Sequence, residues 1–124
     1  MGRFSEVEID WSPFSVCEKG IKAPYPRSLD TPEGLGDRLR FVAFAEKQAT
    51  HAFDLAAEIF SEVSDPVKNI WRTIARAVAK TMNWLITRMM ELGFDPGESP
   101  QSLALFPPLA HCETPEKLSK LMRI

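Results

Sequence analysis

Residues 35–60 read LGDRLRFVAFAEKQATHAFDLAAEIF, and this stretch decides the fold. Apolar residues fall at Leu35, Leu39, Val42, Ala49, Phe53, Ala56 and Phe60. Steps of three and four are the spacing of one face of an α-helix. At one place the register asks for a core residue and the chain supplies Glu46. A carboxylate inside an apolar stripe is costly unless something partners it. A second stripe, Phe41, Ala45, Gln48, Ala52, Leu55 and Ile59, runs beside the first. Two adjacent apolar stripes mean a helix covered on more than one side, as in a bundle.

The start of this helix is written just upstream. Thr31 suits the N-cap, Pro32 the first helical position, and Glu33 the positive end of the dipole. The helix is expected to run to about Glu62. Ser64-Asp65-Pro66 repeats the start signal, and a second helix follows to about Leu92, with Gly93 as its C-terminal cap. Its stripe is Val67, Trp71, Ile74, Val78, Thr81 and Leu85, with Leu92 beyond. So short a connection packs the two helices antiparallel. If Phe60 meets Val67 across the turn, Phe53 lies level with Ile74, and Glu46 with Thr81.

The flanks read differently. Residues 1–30 form an extended arm in which Val7, Ile9 and Trp11 alternate with Glu8 and Asp10. Ser12-Pro13, Ala23-Pro24 and Tyr25-Pro26 favour extended or turn backbone. Phe4, Trp11, Phe14 and Tyr25 give the arm something to bury against the helices or against a second subunit. Residues 94–110 are again proline-rich and irregular. A short last helix is expected from Thr114-Pro115-Glu116 through Leu118 and Leu121.

The 124 residues make one domain, with 44% hydrophobic and 26% charged residues and a formal net charge of -2. Nothing basic is in excess, so neither nucleic acid nor an anionic membrane is an expected partner. No apolar run approaches the roughly 20 residues of a bilayer span. The opening MGRFSEVEIDW is too acidic and broken for a signal peptide. The expected location is therefore cytoplasmic, and there Cys17 and Cys112 are reduced thiols.

Several stretches together carry a resemblance. They are Thr31-Pro32-Glu33-Gly34, then Glu46-Lys47-Gln48-Ala49, then Arg88-Met89-Met90-Glu91-Leu92-Gly93. Residues 27–97 resemble the first helical pair of a ferritin-like domain, and are most similar to a bacterial ferritin-like family of unknown function. The resemblance implies an all-α fold. It also implies a di-iron centre, built from one Glu on each of two helices and a Glu-x-x-His on each of the other two. Glu46 matches the first-helix ligand. The Glu-x-x-His would fall at positions 78 and 81, where this chain has Val78 and Thr81. Valine offers no donor atom, and neutral threonine replaces imidazole poorly. A dimer would bring only two Glu46 carboxylates to the centre, too few for a di-iron cage.

Glu46 is then expected to be satisfied by Thr81, by its symmetry mate or by Lys80, or to hold a residual metal. His51, Asp54 and Glu58 share one helix face and form a second candidate for zinc or iron. His111-Cys112-Glu113 is a third, weaker because adjacent side chains diverge. No glycine-rich phosphate loop, Cys-x-x-Cys or nucleophile motif is present, so the leading expectation is no catalytic residue and no cofactor.

Two helices cannot bury two stripes each, so an isolated hairpin exposes a wide apolar face. A homodimer completing a four-helix bundle is the expected solution. The sequence thus points to an all-α hairpin with proline-rich arms and a structural or interaction role. One alternative is a metal-binding protein or oxidoreductase using Glu46 or His51, Asp54 and Glu58. The other is a small-molecule carrier with a cavity where Val78 and Thr81 leave room.

Overall fold

Thr31 opens the first helix as its sequence implies. Its backbone is extended, at φ -113° and ψ 150°. Its hydroxyl accepts from the Gly34 amide at 3.3 Å and donates to the Ser28 carbonyl at 2.7 Å. Gly34 is required there, because a Cβ at that position would fall on the Ser28 carbonyl.

The computed structural model describes residues 8–18, 20–103, 106–107, 114 and 116–117. In chain order the elements are β1 (Ser15–Val16), α1 (Pro32–Ile59), α2 (Asp65–Glu91) and β2 (Pro100–Gln101). The helices form a long antiparallel hairpin. α1 ends at Ile59, about a turn short of the expected Glu62, with Phe60 as C-cap. The end of α2 is a complete Schellman motif. Gly93 adopts φ 85°, Phe94 N donates to Met89 O at 2.8 Å, and Gly93 N donates to Met90 O at 3.1 Å. The Phe94 ring then lies against Gly36, where a side chain would collide with it.

The arms close on each other. β1 and β2 pair in parallel, Ser15 beside Pro100 and Val16 beside Gln101. Three bonds extend this clasp: Cys17 N to Gln101 O at 2.9 Å, Ser15 Oγ to Gly97 O at 2.7 Å, and Ala23 N to Ser102 Oγ at 3.1 Å. The Ser12-Pro13 bond is cis. Trp11 anchors the clasp on the hairpin, with its ring edge-on to Phe44 at 5.6 Å, His51 at 5.3 Å and Phe106 at 5.3 Å. Phe14 meets Phe44 in the same way at 5.3 Å. Trp11 and Phe14 of the arm therefore cover one face of their own hairpin, whereas Tyr25 is 91% exposed and takes no part, and Phe4 lies outside the described residues.

The core forms two clusters. One joins Ala52, Phe53, Ala56, Ala57 and Phe60 of α1 and its cap to Trp71 and Ala75 of α2, with Phe106 of the tail. The other joins Ala43 and Phe44 to Leu85 and Met89, with Phe14 of the arm.

Two expectations need correction. The apolar stripe of α1 is fully buried only in its second half; in the first, Leu39 alone packs against the core, and only in part. Leu35 and Val42 are each 45% exposed, while Gly36, Arg40 and Gln48 are buried instead. A strict three-four repeat drifts about 20° per heptad relative to a straight α-helix, so one stripe cannot face one neighbour along all of α1. The register is also about one turn off. Phe60 meets Trp71, at 6.3 Å between ring centroids, rather than Val67, and Gly36 meets Phe94. Glu46 therefore lies level with the turn around Leu85, not with Thr81. On α2 the covered positions are Trp71, Ala75, Leu85 and Met89, with Val78 and Met82 half-buried between them.

Candidate functional site

Glu46 is half-buried on α1, and its backbone carbonyl accepts from the Thr50 hydroxyl at 2.9 Å. Thr81 is exposed, and its hydroxyl donates to the Ala77 carbonyl at 3.4 Å. Lys80 is exposed as well. The expected Glu46–Thr81 contact is not formed. Val78 is half-buried and carries no donor. These residues do not fit a di-iron centre of the ferritin-like kind.

His51 packs its ring against Trp11, while Asp54 and Glu58 are exposed. Burial pushes the His51 pKa down and Lys47 adds to this, against the opposing pull of Asp54 and Asp10. Among the described residues no group of three or more His, Cys, Asp and Glu side chains could hold a metal ion. Cys17 is a half-buried free thiol. Cys112 and the His111-Cys112-Glu113 group lie outside the described residues. Near them, the Lys117 amide donates to Thr114 Oγ1 at 3.2 Å, the capping contact that the start signal anticipates.

The side chains that do converge were not singled out in the sequence. A cleft of about 680 Å³ opens between residues 22–27 of the arm, the first turns of α1 and residues 99–102. Arg27, Arg38 and Arg40 line it, together with Asp37. Arg27 grips Asp37 with two parallel bonds, Nε to Oδ2 at 2.9 Å and Nη2 to Oδ1 at 2.8 Å, and adds its backbone amide at 2.8 Å. Arg40 is 1% exposed and donates from Nη1 to Asp37 Oδ1 at 3.0 Å. Its Nε and Nη2 both donate to the Asp95 carbonyl, at 3.0 and 2.8 Å. Arg40 thus ties α1 to the loop after α2. The sequence did hold a trace of this: Arg38 and Arg40 follow Asp37 closely, just after the helix start. Charges so spaced read as a solvated helix face until the arm is folded over them.

The Arg27 guanidinium holds the Asp37 carboxyl well below its usual range, outweighing the burial that pushes it up, and Arg40 adds to the effect. The folded state therefore binds fewer protons here than the unfolded chain. The stabilisation is complete above the ordinary value of 3.8 and is lost as pH falls below it. Thermal melts from pH 7 down to pH 2 are expected to show a steep acid limb in the natural protein. Asp37→Asn should start lower at pH 7 and fall less steeply; parallel acid limbs would contradict the assignment.

On the other side of the hairpin no described residue covers the helices. Val42 lies roughly 120–180° around α1 from Phe44, Gln48 and His51, the residues under the clasp. On α2, Ile86 joins the cluster beneath the arm, and Ala77 lies roughly 180° around from it. Ile70, Ile74, Ala77, Thr81 and Trp84 follow one another at steps of four and three; Ile74 is half-buried against the core, and the other four are exposed along that open side. Ile70 is 56% and Trp84 65% exposed. Among the described residues no helix is long and apolar enough to cross a membrane.

Comparison of the chain with protein-family models, with curated proteins and with solved structures finds no match.

Proposed function

We propose that this chain is a non-catalytic structural and interaction protein, a ferritin-like half-bundle that pairs its open face with a second copy of itself to complete four helices. The observation that carries this reading is the exposed seam of Ile70, Ala77, Thr81 and Trp84 beside Leu35 and Val42, edged by the half-buried Ile74 and Ala49. Alternating steps of three and four suit a knobs-into-holes contact with another helix at a shallow crossing angle. Two helices side by side, each about 10 Å across and about 40 Å long, present about 800 Å², the share each partner gives to an interface of standard size.

The ferritin-like reading rests on the sequence resemblance of residues 27–97, and a hairpin of two long helices is consistent with it. The metal centre has less behind it. Glu46 lies at mid-height near the open face, where register-setting in a dimer is the role left to it.

Sedimentation equilibrium at tens of micromolar tests the reading. The expected mass is twice the 14.0 kDa of the chain. Ile70→Glu with Trp84→Glu should halve that mass and leave the helical circular dichroism intact. A natural protein that sediments as a monomer overturns the proposal.

A further inference from the structure

The cleft has the chemistry of a small-molecule site, and this does not depend on how the open face is used. Its walls are mostly apolar: Pro24, Tyr25, Pro26, Phe41 and Pro100. Phe41 is 66% exposed and Tyr25 91%, so two aromatic faces stand in water at the cleft. The volume of about 680 Å³ falls within the roughly 300–1,000 Å³ typical of ligand pockets.

The charges are unequal. Lys22, Arg27, Arg38 and Arg40 line the cleft, against Asp37 alone. Glu98 stands nearby, 3.5 Å from Arg27 and 3.6 Å from Arg40. Arg27 and Arg40 share both carboxylates and are largely neutralised. Arg38 is not. Its Nη1 is fixed on two backbone carbonyls, Arg27 O at 2.8 Å and Gly34 O at 2.9 Å, and no carboxylate pairs with it among the described residues. One nitrogen anchored on carbonyls orients the plane of the guanidinium and leaves Nε and Nη2 as a pair of donors. Two parallel N–H groups on a planar cation match the two oxygens of a carboxylate.

We propose that this cleft binds a small organic carboxylate with a flat apolar body, its carboxylate on Arg38 and its body against Phe41 and Tyr25. Lys22 adds a mobile second cation, and the proline walls hold the cleft open without the ligand.

Calorimetric titration of the full chain with naphthoate, and with the neutral naphthamide, tests the proposal. Naphthoate is expected to bind saturably at one site per chain, and naphthamide about tenfold or more weakly. Arg38→Met should weaken naphthoate about tenfold. Since Arg38 also braces the arm, Phe41→Ser provides an independent variant; its exposed ring can be lost without unfolding the chain, and it should weaken naphthoate to a similar degree. Trp84→Glu, on the open apolar face, should leave naphthoate binding unchanged. Three results would each overturn the assignment: no saturation in the millimolar range, equal affinity for naphthamide, or loss of binding in Trp84→Glu with retention in Phe41→Ser.

Discussion

Arg40→Met is expected to cost about 3–5 kcal/mol of folding stability, the toll of removing one partner from a buried charge network. Arg40 is 1% exposed and supplies two of the three donors that the structure gives to the Asp95 carbonyl, the third being the Glu98 amide at 3.2 Å. Methionine fills much the same volume but donates nothing. The Asp95 carbonyl is then left with the Glu98 amide alone and Asp37 Oδ1 with Arg27 alone, and each hydrogen bond lost to a charged group is worth about 1.5–3 kcal/mol. Arg40→Lys should recover little. One ammonium on a flexible stem cannot reproduce the fork by which Nε and Nη2 converge on a single oxygen. Urea denaturation read by circular dichroism measures the loss. Against a total stability of about 5–15 kcal/mol for a single domain, the midpoint should fall far below that of the natural protein. A loss under about 1 kcal/mol would show that the loop after α2 does not depend on Arg40.

Trp71→Ala is expected to cost about 3–5 kcal/mol by a different route, the loss of buried contact together with the cavity left behind. Trp71 is 2% exposed and tilted against Phe60 at 6.3 Å. Around it stand Ala52, Ala56, Ala57 and Ala75. Those small residues make the room that the indole fills, and none has a side chain long enough to close the void. Trp84 provides the internal comparison. It is the same residue type on the same helix, but 65% exposed. Trp84→Ala should change monomer stability by no more than about 0.5 kcal/mol. Denaturation of the two variants side by side in a monomeric background checks the pair, and similar losses would refute the assignment of inside and outside on α2.

Much of the hairpin was written locally. Thr31, Pro32, Pro66 and Gly93 each act through the backbone within a turn of their own position, so their meaning survives without knowledge of the rest of the fold; Ser64 stands at the N-cap of α2, but its side chain makes no capping bond. The burial pattern was less legible. Large residues such as Leu35 and Val42 suggested the core face, whereas close packing selected Gly36 and Ala43, and hydrogen bonding drew in Arg40 and Gln48. A small residue at a helix crossing and a charged residue with three partners look, in sequence, like any other glycine or arginine. The cleft was harder still. Its lining comes from three separate segments that meet only when the arms close. Glu46 stood out because a carboxylate in an apolar stripe is anomalous, yet the stripe itself turns away from the core there.

The clasp also bears on how the molecule opens. Ser15 and Gly97, joined by a hydrogen bond, are 82 residues apart in the chain, yet the hairpin brings the starts of both arms to the same end. Once α1 and α2 are paired, only short loops remain to be closed, and closure entropy grows slowly with loop length. The arms should therefore dock after the hairpin and leave before it, as one unit, since each supplies the other's only strand partner among the described residues. In amide hydrogen exchange, Cys17 and Ala23 would then share a single opening free energy below that of the mid-helix amides around Ala52 and Ala75. A partly opened form, with its helices intact and both ends released together, would lose the arm walls of the cleft while keeping the open apolar face.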